Sequence, residues 1–375
     1  MGGLHSTPAR VFSVVLKKLK QRQAGYGYRA SKQLQYLLID INVFGNLSIM
    51  ASPNYSIPRI ALIGCGRWGR NIARVLSELG ALQIVVDPAA DKIADYVGTL
   101  GAMVSADINA AFDASIDGVA IAAPAVDHYK LAHRALTCGK AVFVEKPLAL
   151  DLNEATHLSS VSDATKRPLM VGHLLQYHPA FVRLKELIAA GEIGDVRHIS
   201  SNRLNPGAIR TEENALWSMA PHDFSMVLGV AQSEPASVEA LAVRVVNPSI
   251  PDQYFVQMRF SEELTAQVNV SWLSPFKEHK LVVLGTRGAI VFEDTHAERH
   301  RKLLIYRDYV DHCGSAPVFV KGAGEAVEWP PHEPLHQEMS AFLSAVQSGL
   351  TPCTGPAEAI PVLRLLHRAT AAAEG

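Results

Sequence analysis

Residues 59–69 read RIALIGCGRWG, from Arg59 to Gly69. An apolar run leads into Gly64-Cys65-Gly66-Arg67-Trp68-Gly69, and the helical pattern NIARVLSELG follows. Strand, glycine turn and helix in that order give the G-x-G-x-x-G spacing its meaning, because the spacing alone is a weak signal. Gly64 permits a tight turn, Gly66 lets backbone amides approach a pyrophosphate, and Gly69 lets the helix pack close to the strand. A helix N-terminus carries roughly half a positive charge, which suits the anion, and Arg67 and Trp68 lie in the same turn. A second strand, 81–86, ends in Asp87, where a carboxylate is expected to hold ribose hydroxyls. A 2′-phosphate beside it would meet like charge, so Asp87 favours NAD over NADP. The competing reading is a glycine turn in some other α/β protein, and the rest of the chain decides between them.

Outward from this turn, residues 58–172 alternate short apolar strands with helices. Strands are expected at 59–63, 82–86, 102–104, 118–122, 141–144 and 168–172, and helices at 68–79, 89–100, 126–138 and 152–165. Such alternation implies a parallel sheet with right-handed crossovers. Ligands on such a sheet bind beyond the carboxyl ends of its strands. Gly66, Asp87, Ala123-Pro124 and Glu145 all fall there, and His128 lies in the first turn after Pro124.

Residues 173–375 change character. A helix is expected at 181–190, a strand at 196–201, and a polar loop at 202–217 holding Asn202, Arg203, Asn205 and Arg210. His222-Asp223 opens a further helix, with Asp223 as its cap. Strands follow at 237–246, 254–260, 264–272, 280–284 and 289–293, and helices at 335–347 and 357–373. Successive strands with short turns imply antiparallel pairing. The fold class is therefore α/β: a Rossmann dinucleotide-binding domain at 58–172, then an α+β domain on a large, mostly antiparallel sheet at 173–375. The closing helices are expected to pack back on the first domain. An open, partly apolar sheet face marks an oligomer contact, giving a homo-oligomer, dimer or tetramer.

Residues 1–57 stand apart. Seven Lys or Arg face one acid, Asp40. This basic extension is expected to be poorly ordered and dispensable, with Met50 as an alternative start; a membrane-surface or targeting segment is the other reading. The whole chain has 375 residues and a net charge of -1, which excludes a polycation built for nucleic acid. No run of 18 apolar residues suggests a membrane span. The four cysteines form no C-x-x-C, so a reducing, cytoplasmic setting is expected.

Two side chains carry the chemistry. Lys146 follows a strand end and precedes Pro147; its ammonium can bond a substrate hydroxyl and stabilise a developing alkoxide. His222 has an imidazole fit to take a proton as hydride leaves. The pairs His296/His300 and His332/His336 have metal-binding spacing, but no third ligand is evident and no metal is expected.

With these residues in hand, the sequence resembles the glucose–fructose oxidoreductase/inositol dehydrogenase/rhizopine catabolism family (Gfo/Idh/MocA). The glycine fingerprint, Glu145-Lys146-Pro147 and a helix histidine, His222, carry the resemblance over residues 58–372. It implies that Lys146 lies beside nicotinamide and substrate and that His222 transfers a proton. One departure is Ser218, where many members place an aspartate four residues before the histidine. The phrases GHLLQYHPA (172–180), SNRLNPGAIRTEENALWSMAPHD (201–223) and SWLSPFKE (271–278) resemble a nucleotide-sugar subgroup acting in lipid A and lipopolysaccharide biosynthesis. That likeness implies oxidation of UDP-N-acetylglucosamine at C3 by NAD, with a partner aminotransferase consuming the ketone. A UDP diphosphate needs cationic or amide donors, which Arg67, Arg203, Arg210 and Lys277 would supply. Asn205, Asn214 and Trp217 would wall the sugar and uracil, with Tyr177 and His178 as helpers to Lys146 and His222. An NAD-dependent glycosidase and a non-catalytic sensor of NAD and sugar are the alternatives.

Overall fold

The computed structural model describes residues 56–207, 209–307, 309–311, 316 and 318–374. The expectations for the basic extension and for Met50 lie outside the described residues.

Short runs of Ile, Val, Leu and Ala, bounded by glycine or proline, form the first sheet. Its strands are β1 (Ile60–Ile63), β2 (Leu82–Val86), β3 (Met103–Ser105), β4 (Gly118–Ile121), β5 (Ala141–Val144) and β6 (Leu169–Val171). They lie in the order β3-β2-β1-β4-β5-β6, all parallel. This is the order with a switch point between β1 and β4, where a dinucleotide crosses the sheet. Helices α1 (Gly69–Glu78), α2 (Ala90–Thr99), α3 (Ala125–Thr137) and α4 (Leu152–Thr165) make the crossovers. The buried face of α1 is Ile72, Ala73, Val75 and Leu76, the 3.6-residue stripe read from the sequence.

After a 3-10 turn at Leu174–Tyr177 comes α5 (Pro179–Ala189), then β7 (Val196–Pro206) and α6 (Ala215–Ala231). The second sheet adds β8 (Ser237–Val243), β9 (Gln253–Arg259), β10 (Thr265–Ser271), β11 (Leu273–Gly285), β12 (Gly288–Glu293), β13 (Leu303–Tyr306) and, beyond a small hairpin of β14 (Tyr309–Asp311) and β15 (Val318–Val320), β16 (Gly324–Ala326). Its order is β16-β13-β12-β11-β7-β10-β9-β8. Every pair is antiparallel except β7 with β10. Helix α6 lies across β7, β9 and β10. The opposite face stays open, with Leu241, Phe255 and Leu284 exposed.

Two helices close the chain. In α7 (Pro334–Ser348), the Phe342 ring packs tilted against Phe143 of β5, centroids 5.9 Å apart. Helix α8 (Pro356–Glu374) runs along α6 and β8 and reaches α4. Both closing helices thus pack against the first sheet and its crossovers.

Three local expectations are corrected. Asn202, Arg203 and Asn205 are on β7 rather than in a loop, because the strand continues to Pro206 opposite β11. His222 lies in the middle of α6 rather than at its start. The cap is Asn214, whose Oδ1 accepts from the Trp217 amide at 3.1 Å, so the helix begins two turns earlier. Asp223 is fully buried in that helix and caps nothing.

Candidate active site

The glycine turn is built as a cradle. Gly64 has φ +89°, a left-handed conformation that penalises any Cβ. A Cβ at Gly69 would lie 2.2 Å from the Gly64 carbonyl oxygen, so helix and strand close here only through glycine. A Cβ at Gly66 would meet nothing within 4 Å, which leaves open space beside the turn. Arg67 and Trp68 are exposed next to it. Asp87 at the end of β2 folds toward the turn: its Oδ2 accepts from the Cys65 amide and its Oδ1 from the Ala89 amide, both at 2.8 Å. The carboxylate is thereby fixed beside the glycine backbone.

At the end of β5, Glu145 Oε1 accepts from the Trp68 indole at 2.6 Å, tying the glycine turn to the Lys146 turn. Burial raises the Glu145 carboxyl to about 7 against the Trp68 bond and the Lys146 charge, which both pull it down. Lys146 donates from Nζ to the Ser218 carbonyl of α6 at 2.8 Å. Burial pushes its ammonium below the usual lysine range, with Glu213 and Glu145 opposing and Arg210 and Arg203 assisting. The same contact brings the Lys146 turn against α6, one turn before His222. Burial drives the His222 imidazole well below its ordinary value, and Arg203, Lys146, His173 and His279 add to this. Those four groups are therefore within electrostatic reach of it. Its Nδ1 is buried without a hydrogen-bond partner among the described residues. Ser218, where an aspartate could have reached it, has a short side chain.

Arg203 reaches α6 from β7 and gives Asp223 Oδ2 a 2.6 Å bond from Nε, while Ser201 Oγ donates to Asp223 Oδ1 at 2.6 Å. Losing one partner of such a buried pair costs about 3–5 kcal/mol. Opposite Arg203 in the β7–β11 register is His279. Its Nδ1 accepts from Arg203 Nη1 at 3.3 Å and its Nε2 donates to Asn205 Oδ1 at 3.2 Å. Burial and the Arg203 charge push this imidazole down to about 3, so it stays neutral with its proton on Nε2. Arg210, exposed and paired with Glu213 at 2.5 Å, and the exposed Lys277 flank these groups.

Other expected site residues serve the fold. His128 is buried, with Nδ1 2.7 Å from the Pro147 carbonyl and Nε2 2.9 Å from the Ala123 carbonyl. It braces the loop at Ala123-Pro124 against the Lys146-Pro147 turn rather than lining a cofactor surface. Tyr177 is packed in the core, its hydroxyl 2.9 Å from Thr354 Oγ1. His178 caps α5 by accepting from the Ala180 amide at 3.1 Å, and its ring lies between Phe292 and Trp329. Asn214 is a helix cap. The Trp217 indole donates to Thr370 at 3.1 Å and meets His367 edge-on, so it faces α8. His128 was expected at the cofactor, Tyr177 and His178 as helpers to Lys146 and His222, and Asn214 and Trp217 as walls; in the structure each has a polar atom partnered within the fold.

Comparison with known proteins bears on this arrangement. Residues 58–173 match the model described as "Oxidoreductase family, NAD-binding Rossmann fold", and residues 181–291 match the GFO/IDH/MocA C-terminal domain. An inositol 2-dehydrogenase of Rhizobium meliloti is 33% identical over 252 residues, 63% of this chain and 76% of that protein. The chain belongs to the Gfo/Idh/MocA oxidoreductase family. A UDP-N-acetylglucosamine 3-dehydrogenase of Acidithiobacillus ferrooxidans is 25% identical over 289 residues, 77% of this chain and 88% of that one. A solved structure of the latter superposes with a TM-score of 0.74 at 23% identity, covering 84% of this chain and 97% of the other.

As a Gfo/Idh/MocA member the protein is an NAD-binding oxidoreductase of sugar or polyol hydroxyls. The residues fit the cofactor: open space at Gly66, a helix N-terminus behind it, and Asp87 fixed by two amides. Among the described residues no group of three or more His, Cys, Asp or Glu is placed to hold a metal ion, and no helix is long and apolar enough to cross a membrane. Sequence reading missed His173, His279 and Glu358, which the structure brings to this site. The crowding of His173, Gln176, Tyr177 and His178 behind β6 was the only signal, and it did not tell the site-facing His173 from the packed Tyr177.

Proposed function

We propose that this enzyme oxidises a nucleotide-sugar hydroxyl with NAD, foremost the C3 hydroxyl of UDP-N-acetylglucosamine, to a ketone that an aminotransferase then consumes. The observation that carries the reading is cationic. Arg210 acts on Lys146 and Lys277 acts on His279, so two exposed cations flank the proposed chemistry from different elements. A diphosphate needs such donors, whereas a neutral cyclitol does not. The likeness to the UDP-N-acetylglucosamine 3-dehydrogenase over 289 residues supports it. The 33% identity to an inositol 2-dehydrogenase favours a second reading, oxidation of a free inositol.

NAD, when bound, supplies the hydride acceptor. Asp87 would hold its ribose and the glycine turn its pyrophosphate. The Lys146 ammonium orients the substrate hydroxyl and stabilises charge growing on its oxygen. His222, kept unprotonated by burial and by the Arg203 and Lys146 charges, takes the hydroxyl proton.

The purified protein is to be mixed with NAD and, separately, UDP-N-acetylglucosamine, myo-inositol and scyllo-inositol. NADH and a 3-keto product from the nucleotide sugar, at a kcat/KM at least about tenfold above the inositols, is the expected result. Turnover of inositol alone overturns the substrate reading, and free sugar without net NADH supports the glycosidase. Asp87→Ala is expected to lower kcat/KM for NAD about tenfold and to narrow the preference over NADP. A wild type preferring NADP would refute the role given to Asp87.

A further inference from the structure

His173 follows β6 directly and is only 2% exposed. Its Nδ1 lies 2.5 Å from Glu358 Oε2, a contact made by the first turn of α8 from 185 residues away. The carboxylate is itself held. Ser225 Oγ donates to Glu358 Oε1 at 2.6 Å, and Gln176 Nε2 donates to Ser225 Oγ at 2.9 Å. Lys185 Nζ donates in turn to Gln176 Oε1 at 3.0 Å. A carboxylate is acceptor-only, so Nδ1 of His173 carries the proton in this bond. Its Nε2 is then the lone-pair nitrogen. Among the described residues that atom makes no hydrogen bond, yet the only buried side-chain atoms lacking a partner there are His222 Nδ1 and the two Glu338 oxygens. His173 Nε2 therefore keeps accessible surface of its own.

The dyad is tied to the site already described, because Ser225, which bonds Glu358, lies three residues after His222 on α6. His173 acts electrostatically on Glu145 at the end of β5 and on His222 of α6. The groups facing it are thus Glu145, His222, Ser225 and Glu358, of which the two carboxyl groups can compensate a positive imidazole. His222 has the opposite environment. Arg203, Lys146, His173 and His279 all oppose its protonation, and no acceptor meets its Nδ1. A group so placed can pass a proton on but cannot keep it. An imidazole oriented by a carboxylate on one nitrogen and free on the other is the arrangement that accepts and holds one.

We propose that the His173–Glu358 dyad is the terminal proton acceptor of the oxidation, with Glu358 as its positioning residue. This rests on the reading of the protein as an NAD-dependent dehydrogenase. The step balances. The carbinol C–H bond breaks and its electron pair leaves with hydrogen as hydride to NAD, which is reduced. The O–H bond breaks, its electron pair forms the C=O bond, and the proton passes by way of His222 to Nε2 of His173. The Glu358 side chain, 20% exposed, then offers the way out to solvent.

The test uses the full chain. His173→Asn is expected to lower kcat about 10²-fold while the NAD dissociation constant stays within about twofold. Glu358→Gln keeps the shape but loses the charge. It should lower kcat at neutral pH about tenfold and displace the acid limb of the kcat profile, since the imidazole loses its carboxylate partner. In long-range 1H–15N spectra of the protein without cofactor, His173 should show a protonated Nδ1 and an unprotonated Nε2, and Glu358→Gln should disturb that tautomer. A His173→Asn enzyme within about threefold of wild type with an unshifted profile overturns the proposal. If that variant is insoluble, a Glu358→Gln profile superposing on wild type does so. A wild type that oxidises inositol instead refutes the nucleotide-sugar reading, and the same profiles measured on inositol still decide the role of the dyad.

Discussion

Lys146→Ala is expected to lower kcat by about 10³-fold and to leave the NAD dissociation constant within about twofold. The lysine contacts Ser218 across the site and makes no bond to the glycine turn or to Asp87, which hold the cofactor's phosphates and ribose in the proposed mode. Removing it takes away a donor aimed where oxygen charge grows, and one fewer cation then opposes His222. Stopped-flow NADH formation and a separate NAD titration check both halves. Weak NAD binding with undiminished turnover at saturation would refute the role.

The second large effect concerns stability. Glu338 on α7 is fully buried, and neither carboxyl oxygen has a hydrogen-bond partner among the described residues. Burial, reinforced by the Glu145 charge, pushes its carboxyl well above the ordinary range. The folded protein therefore holds this proton more tightly than the unfolded chain does. The associated stability is complete below the unfolded pKa and declines as pH rises toward and through the raised folded value. Glu338→Gln keeps the shape without the charge. It should match wild type near pH 5 and exceed it by about 2–4 kcal/mol at pH 8.5, the scale for relieving a buried, unpaired ionisable group. Glu145, raised to about 7, leaves a residual slope of the same sign in the variant. Urea unfolding at both pH values checks this; a gap that does not grow with pH would sink the account.

The first half of the fold is written in local sequence. Each strand of the first sheet is a short apolar run, each crossover helix is periodic, and the turn from Gly64 to Gly69 announces its own geometry. Glu145 and Lys146 are legible for the same reason, since position at a strand end is a local property. The second half resists because its site is made by pairing at long range. His279 faces Arg203 only through the β7–β11 register, 76 residues apart. Asp223 looked like a cap because it follows a helix-type histidine; it is a counter-ion because β7 brings Arg203 to it. Trp217, Tyr177 and His178 have the composition of a binding wall, but packing assigns their polar atoms to Thr370, Thr354 and Asp294.

The segment before α8 has a consequence for synthesis. The Val171 amide at the sheet's edge donates to the Thr354 carbonyl at 2.8 Å, and Tyr177 and His173 take their partners from Thr354 and Glu358. A nascent chain that has emerged through His178 has delivered all six strands of the first sheet. The edge at β6 still lacks its last neighbour, and a buried histidine still lacks its carboxylate. Both arrive only with residues 354–358, so a chain halted after β13 carries the nucleotide cradle but exposes an unpaired edge.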